Sequence, residues 1–363
     1  MSDIRIGLIG GTGLAEAIAA EADGVRHDID TPFGRPSDSI IETQWEGVTL
    51  FTLARHGPGH ILPPAQVPFR ANIFALKKLG VTHIIASGAV GSLREELRPR
   101  DLVIVDQVID KTFRRVGTFF DNAAVHVEMA EPFCPVLRRM LLLAAKPDDN
   151  TAQPQTQADQ PPPAGLAPLG QPVASESTPQ PRPFSPRPDY TVHDRGCYVC
   201  MEGPALSTRA ESLMHRLWGG DLIGMTAMPE AKLAREAEIP YALIALVTDY
   251  DCWRQPALPK DATAGAEQKH PNATALLEEI IGNLKAASAN AIDLIKRTIR
   301  CIAEHRDELA NCPATRALEL AIWSDKSKID PAEVQRLAPL WMKYFEPPAP
   351  AAPGDDGKPH ARP

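Results

Sequence analysis

Two carboxylates stand two residues apart in Thr248-Asp249-Tyr250-Asp251, directly after the apolar run Tyr241-Ala242-Leu243-Ile244-Ala245-Leu246-Val247. Asp249 or Asp251 there can accept from an exocyclic amine, or carry a proton to a ring nitrogen, on a polar heterocycle. Aspartate after a strand is also a common helix cap, so the pair alone leaves both uses open. Arg55-His56 joins a guanidinium to an imidazole. That combination suits an oxyanion clamp, because arginine can bond phosphate bidentately, but it reads equally as a surface pair. Gly10-Gly11-Thr12-Gly13 would turn backbone N–H groups and the Thr12 hydroxyl toward an anion, or simply make a tight turn. It lacks both the full dinucleotide pattern and the Lys-Ser/Thr of a P-loop. In Ser87-Gly88-Ala89-Val90-Gly91 small residues would let backbone N–H groups approach an anion, or serve strand–helix packing. In Met225-Thr226 the hydroxyl could reach phosphate and the thioether could lie under an apolar sugar face, or Met225 could be core.

These groups need a scaffold that gathers strand ends. The run 241–247 is short, continuous and bounded, the mark of a strand buried on both faces in a parallel α/β sheet. Ligands of such sheets sit beyond the carboxyl ends of the strands. Ile4 to Ile9 reads as the first strand, Val48 to Ala54 as a second, His83 to Ala86 and Asp101 to Val105 as others. A strand running from Tyr190 to Met201 and a short one at Asp221–Gly224 follow. Helices are expected at Pro68–Leu79, after Pro135 as far as Lys146, at Ser207–Trp218, Pro229–Glu238 and Ala273–Ile299, then at Ile302–Trp323 and Pro331–Tyr344. Alternation of the two types predicts a mixed, largely parallel central sheet flanked by helices. Three strand ends then supply anion-binding groups and a fourth supplies acids, which one phosphate beside a heterocycle would account for.

Length alone, 363 residues, suggests about two domains. Half of the 36 prolines, however, fall in two stretches, 147–188 and 347–363. Residues 147–189 are rich in Pro, Gln, Ala, Ser and Thr, too poor in apolar surface to offset ordering entropy. The expected organisation is one domain over 1–146 and 190–300, a disordered insertion at 147–189, a helical extension at 301–345 and a disordered tail at 346–363. A net charge of −8 argues against a broad nucleic-acid surface, and no apolar run approaches membrane-span length. The early first strand leads us to expect no signal peptide. Six scattered cysteines fit a reducing cytosol. Cys197 and Cys200 form a C-x-x-C inside a strand reading, where their side chains face opposite ways and do not suggest zinc. His60, His83, His193 and His215 carry no evident role.

Taken together, Ile9-Gly10-Gly11-Thr12-Gly13-Leu14, Thr31 to Asp38, Leu53-Ala54-Arg55-His56-Gly57, Gly91 to Glu96, Met129 to Pro135, Glu202-Gly203-Pro204, Ser207 to Ser212, Met225 to Glu230 and Thr248 to Trp253 resemble the 5′-methylthioadenosine phosphorylases of the trimeric purine nucleoside phosphorylase family. The resemblance covers roughly 4–146 and 190–300, and leaves out the insertion and the residues after about 300. It implies a nucleoside-phosphorylase-like α/β fold, a homotrimer with sites near subunit boundaries, and a pentosyltransferase that takes inorganic phosphate as co-substrate with no other cofactor. Thr12, Arg55, His56, the Gly88-Ala89 backbone and Thr226 are similar to the family's phosphate site, which Ser207 borders. Met225 matches the residue under the ribose, Asp249 and Asp251 the acids facing adenine, and His126 a residue lining the 5′-substituent pocket. Gly88 stands where threonine is usual. Ala205 and Leu206 stand where arginine and phenylalanine are usual, and Leu206 alters the nucleoside pocket.

The implied reaction is phosphorolysis of 5′-methylthioadenosine to adenine and 5-methylthioribose 1-phosphate. A carboxylate accepts from the amino group of adenine, whereas members that prefer 6-oxopurines carry asparagine there. The competing readings are a purine nucleoside phosphorylase of broader or 6-oxopurine range, a nucleosidase using water, and a non-catalytic purine-binding protein.

Overall fold

The computed structural model describes residues 4–11, 24–146, 183–187, 189–254 and 273–345. Its strands are β1 (Arg5–Gly10), β2 (Val25–His27), β3 (Ile40–Trp45), β4 (Val48–Ala54), β5 (His83–Ser92), β6 (Leu102–Ile104), β7 (Gln107–Asp110), β8 (Pro183–Pro186), β9 (Thr191–His193), β10 (Cys197–Cys200), β11 (Leu222–Gly224) and β12 (Tyr241–Tyr250). They form one mixed sheet in the order β2-β3-β4-β1-β5-β12-β6-β9-β8, with β11 on the far end of β5 and β10 and β7 beyond it. The centre, β4-β1-β5-β12, is parallel, and antiparallel pairs lie on both flanks. The Ile, Leu and Val side chains of β1, β4 and β12 are almost wholly buried, the pattern of a sheet covered on both faces.

The helices are α1 (Phe69–Lys78), α2 (Pro135–Ala145), α3 (Arg209–Leu217), α4 (Ala227–Glu236), α5 (Ala273–Glu304), α6 (Arg306–Leu309), α7 (Pro331–Arg336) and α8 (Ala338–Trp341). Thr208 caps α3 through a reciprocal pair with Glu211, which fixes where that helix begins. One layer of core joins α1, α4 and α8 to one sheet face, and α2 and α5 cover the other.

Several expectations need correction. The stretch Tyr190 to Met201 is two strands, β9 beside β6 and β10 between β7 and β11, because the chain bends at Asp194. A Cβ on Gly196 would lie 2.9 Å from Val103. The helix expected over Ile302–Trp323 ends early: α5 stops at Glu304, His305 leaves helical geometry, and Pro313 starts a 3₁₀ turn. Pro331–Tyr344 is likewise broken, at Leu337. Most of the proline-rich insertion and the tail after 345 lie outside the described residues, but Pro183–Pro186 is an edge strand on β9. Residues 306–345 are not an appendage. Leu309, Cys312, Leu318 and Trp341 are buried, and the carboxylate of Glu238 accepts from Leu318 N and the Tyr344 hydroxyl.

His83 shows what that packing does. Its ring is buried under Leu309 O, 3.2 Å from Nε2, and burial lowers its pKa to about 4. In the unfolded chain it titrates near 6.5. Above pH 6.5 both states are neutral there. Below it only the unfolded chain takes the proton, so stability is lost between pH 6.5 and 4, by at most about 3 kcal/mol from this group. Unfolding free energy measured by denaturant titration should fall across that window, and His83→Gln should flatten the slope. An equal slope in the variant would remove His83 from the account.

Candidate active site

Most of the groups singled out from the sequence meet in one cavity of about 420 Å³ at the carboxyl ends of β1, β4, β5, β11 and β12. Gly11, Arg55, His56, Ser87, Gly88, Ala89, Leu206, Ser207, Met225, Thr226, Asp249 and Asp251 all line it. Thr12 lies outside the described residues. His126 does not line this cavity: its ring stacks on Trp323 at 4.5 Å, and its N–H bonds Ala321 O.

One half of the cavity is built around Arg55. Its guanidinium is only 1% exposed and grips Glu230 with Nε and Nη2 at 2.7 and 2.8 Å, while Nη1 donates to Ser87 O at 2.8 Å. Burial works against the charged form, but the Glu230 carboxylate outweighs it and holds Arg55 above its ordinary value. The hydroxyl of Tyr241 donates to Glu230 Oε1 at 2.8 Å, closing the network from β12. An arginine has five N–H groups, so two remain to point at an oxyanion. His56 adds no charge to Arg55. Burial lowers it to about 4, against the opposing bond to Leu62 O, so the ring is neutral near pH 7. Nδ1 lies 2.8 Å from that carbonyl, which can only accept, so Nδ1 carries the proton and Nε2 is an acceptor. His60 stacks on His56 at 4.3 Å and also lines the cavity.

Gly88 and Thr226 share the floor. A Cβ on Gly88 would come 3.2 Å from the Thr226 hydroxyl, so a larger residue there would push that donor aside. Thr226 N donates to Tyr198 OH, which occupies the space a side chain on Gly224 would need.

The acid half depends on the pairing of β5 with β12. Their strands run further than the sequence implies: β5 through Ser92 and β12 through Tyr250. The register shifts between Val247 and Asp249, a bulge at Thr248 that re-aims the following side chains. Asp249 then pairs with Gly91, where a Cβ would lie 3.2 Å from Asp249 Oδ1 and 3.3 Å from Asp251 Cβ. Glycine at 91 is therefore what lets the two acids stand together. The Thr248 hydroxyl lies 3.1 Å from Val90 O and 2.7 Å from Asp249 Oδ2. It has one proton for two acceptors, so a proton on Asp249 would satisfy all three groups. Burial raises the Asp249 pKa, the Thr248 bond opposes it, and Asp251 and Glu279 add to the rise. Asp251 Oδ2 is buried with no hydrogen-bond partner among the described residues.

Helix α5 supplies a wall that the strand-end reasoning missed. Leu277, Ile280, Leu284 and Ser288 line the cavity at a spacing that keeps them on one helix face. Asn283 on the same helix donates to Thr248 O at 3.0 Å and accepts from Arg100, so the helix also holds the bulge. Glu230 and Asn283 gave no sequence signal of their own, although Glu230 sits in the Met225–Glu230 motif. The C-x-x-C of β10 takes no part, since burial pushes Cys197 and Cys200 up to about 12.

Residues 5–300 match the model of the Phosphorylase superfamily. The chain is 42% identical over 351 residues, 96% of its own length and 90% of the relative's, to S-methyl-5′-thioadenosine phosphorylase of Synechocystis sp. (strain PCC 6803 / GT-S). It is similar in structure to a methylthioadenosine phosphorylase from an antarctic soil metagenomic library, with TM-score 0.72 and 39% identity over 94% of this chain and 99% of that one. A mutant adenosine/methylthioadenosine phosphorylase of Schistosoma mansoni in complex with methylthioadenosine matches with TM-score 0.67 and 30% identity over 88% of this chain and 99% of its own. The family model ends at residue 300, where the resemblance also ends, while the match to the Synechocystis relative spans 96% of the chain.

Glu230→Gln keeps the shape of the Arg55 partner and removes its charge. Binding of inorganic phosphate, followed by isothermal titration calorimetry, should weaken at least about tenfold, the scale of one charge-assisted bond. Circular dichroism would show whether the variant is folded. A folded variant with unchanged affinity would mean that Arg55 needs no ionised partner.

Proposed function

The chain belongs to the phosphorylase superfamily, among its methylthioadenosine phosphorylases, and on that premise we propose that the cavity splits 5′-methylthioadenosine with inorganic phosphate into adenine and 5-methylthioribose 1-phosphate. The observation that carries this reading is that Arg55, His56 and Thr226 line the same cavity as Asp249 and Asp251. An anion and an amino-purine can lie there side by side.

Breaking the glycosidic bond gives the sugar oxocarbenium character and sends electrons into the purine. Asp249, held toward its protonated form, donates to the imidazole-side ring nitrogen as that charge builds. Asp251 Oδ2 accepts from the exocyclic amine. Phosphate lies below the sugar, held by the two remaining Arg55 N–H groups, the Thr226 hydroxyl and backbone donors near Gly11 and Gly88-Ala89. A neutral His56 accepts the P–OH of monohydrogen phosphate at Nε2, which orients an unprotonated oxygen toward the anomeric carbon. Met225 lies under the ribose, and Ser207 borders the phosphate. The apolar side chains of Leu277, Ile280 and Leu284, with Leu206 at the rim, suit a 5′-thioether better than a 5′-hydroxyl. Phosphate is the co-substrate, and the chemistry needs no further cofactor. We also propose a homotrimer in a reducing cytosol. Among the described residues no helix is long and apolar enough to cross a membrane.

Release of the free base should be followed, as adenine from methylthioadenosine and adenosine and as hypoxanthine from inosine, with and without phosphate. The expected result is phosphate-dependent release, fastest from methylthioadenosine. Release without phosphate would indicate a nucleosidase, a preference for inosine a 6-oxopurine phosphorylase, and no release a binding protein. Asp249→Asn should slow adenine-nucleoside turnover at least about tenfold, the range for a positioned acid. Because the active form is the protonated one, the parent rate should decline as pH rises through the raised Asp249 pKa, and the variant should lose that limb. An unchanged rate would remove Asp249 from its role.

A further inference from the structure

Cys134 and Cys312 are 178 residues apart in sequence, yet their sulfurs lie 3.1 Å apart, each thiol almost wholly buried. That is closer than two thiols pack by van der Waals contact alone, and about 1 Å from bonding distance. Both backbones are fixed. Cys134 sits immediately before α2 with its N–H on Tyr241 O at 2.8 Å, and Cys312 accepts at its carbonyl from Thr315.

We propose that Cys134 and Cys312 are a site of reversible disulfide formation, closed by a hydroperoxide, which ties the segment after α5 covalently to the start of α2. The Cys134 thiolate attacks the peroxide, the O–O bond breaks, and Cys134 becomes a sulfenic acid as the other oxygen leaves as hydroxide. Cys312 sulfur then attacks the Cys134 sulfur. The S–S bond forms, the S–OH bond breaks, and the departing hydroxide leaves as water with the Cys312 proton. Two thiols give two electrons to one peroxide. A dithiol reductant reverses the bond.

The surroundings assign the two roles. Cys134 is held below the usual thiol range, first by the hydrogen bond with Cys312, against burial, and then by the N–H groups of Val136 and Leu137 at the start of α2. Cys312 is raised by the same bond and by burial. Thiolate character decides which sulfur reacts with a peroxide that reaches the pair, so Cys134 attacks first and Cys312 resolves. The other four cysteines are all raised, Cys252 included although it is exposed. The bond would close a long loop across the domain, so its effect falls on the unfolded chain.

The full-length protein would be treated with hydrogen peroxide, alkylated, digested and analysed by mass spectrometry. The expected result is a linked Cys134–Cys312 peptide pair, a loss of two alkylatable thiols, and an unfolding temperature a few degrees higher that returns to its starting value with dithiothreitol. Cys312→Ser should give a sulfenic acid at Cys134, trapped by dimedone, with no crosslink and no rise. If the treated protein keeps both thiols, or links Cys134 elsewhere, the proposal is wrong. These readouts do not depend on the proposed reaction, so they stand whether or not adenine is released.

Discussion

The parallel pairing of β5 with β12 is the constraint from which the site follows. Nine residues of each strand pair side by side, and their carboxyl ends carry different chemistry. On β5, Ser87 to Gly91 leaves the backbone bare of bulk. On β12, the bulge at Thr248 shifts the register by one residue and brings Asp249 opposite Gly91. Without the shift, the pleat would carry the acid to the other face of the sheet. The bulge is held from three sides: by the Thr248 hydroxyl near Val90 O, by Asn283 at the Thr248 carbonyl, and by Asp251 N on Ser92 O. Burial of the acid at this bulge favours its protonated form.

Beneath the same seam lies the Arg55–Glu230 pair. A buried ion pair is a poor source of stability, since desolvation consumes most of the attraction. Its value here is geometric. Glu230 accepts from both Arg55 and Tyr241, so β4, α4 and β12 are tied to one carboxylate, and the guanidinium plane has one orientation. Arginine in a fixed plane presents its two remaining N–H groups in known directions. A lysine would bring the charge without the direction.

The sequence displayed the parts of the site that are chemically conspicuous and local. Arg55-His56, Met225-Thr226 and Asp249 to Asp251 stand next to strand ends, and the turn of a strand into a loop is visible in hydropathy alone. Residues that act through another residue were not visible. Glu230 looks like any helix glutamate until Arg55 is seen against it, and Asn283 like any polar position of an amphipathic helix. The extents of β5 and β12 were underestimated because glycines and acids at their ends look like loop, while backbone pairing between the strands overrides that composition. The helix expected over Ile302–Trp323 failed for a local reason, since apolar spacing is also met by turns around Pro313 that pack on His83 and Cys134. His126 was placed by resemblance, with no residue pattern behind it, and in this fold it stacks on Trp323.

The electrostatic balance of the cavity bears on the proposed chemistry. Arg55 is matched by Glu230, and His56 is neutral because burial outweighs its carbonyl partner. The half around Arg55 therefore offers directed donors but little net positive charge. A phosphate held in this way is oriented without being neutralised, so its charge remains available to the sugar as cationic character develops. A cluster of unmatched cations would bind the ground-state anion more tightly and weaken that help. The acid half is arranged in the opposite sense, toward a proton, so that negative charge on the leaving base is met by transfer and not by repulsion. The two halves are tuned in opposite directions by the same cause, removal from water, which destabilises the imidazolium of His56 and the carboxylate of Asp249 alike.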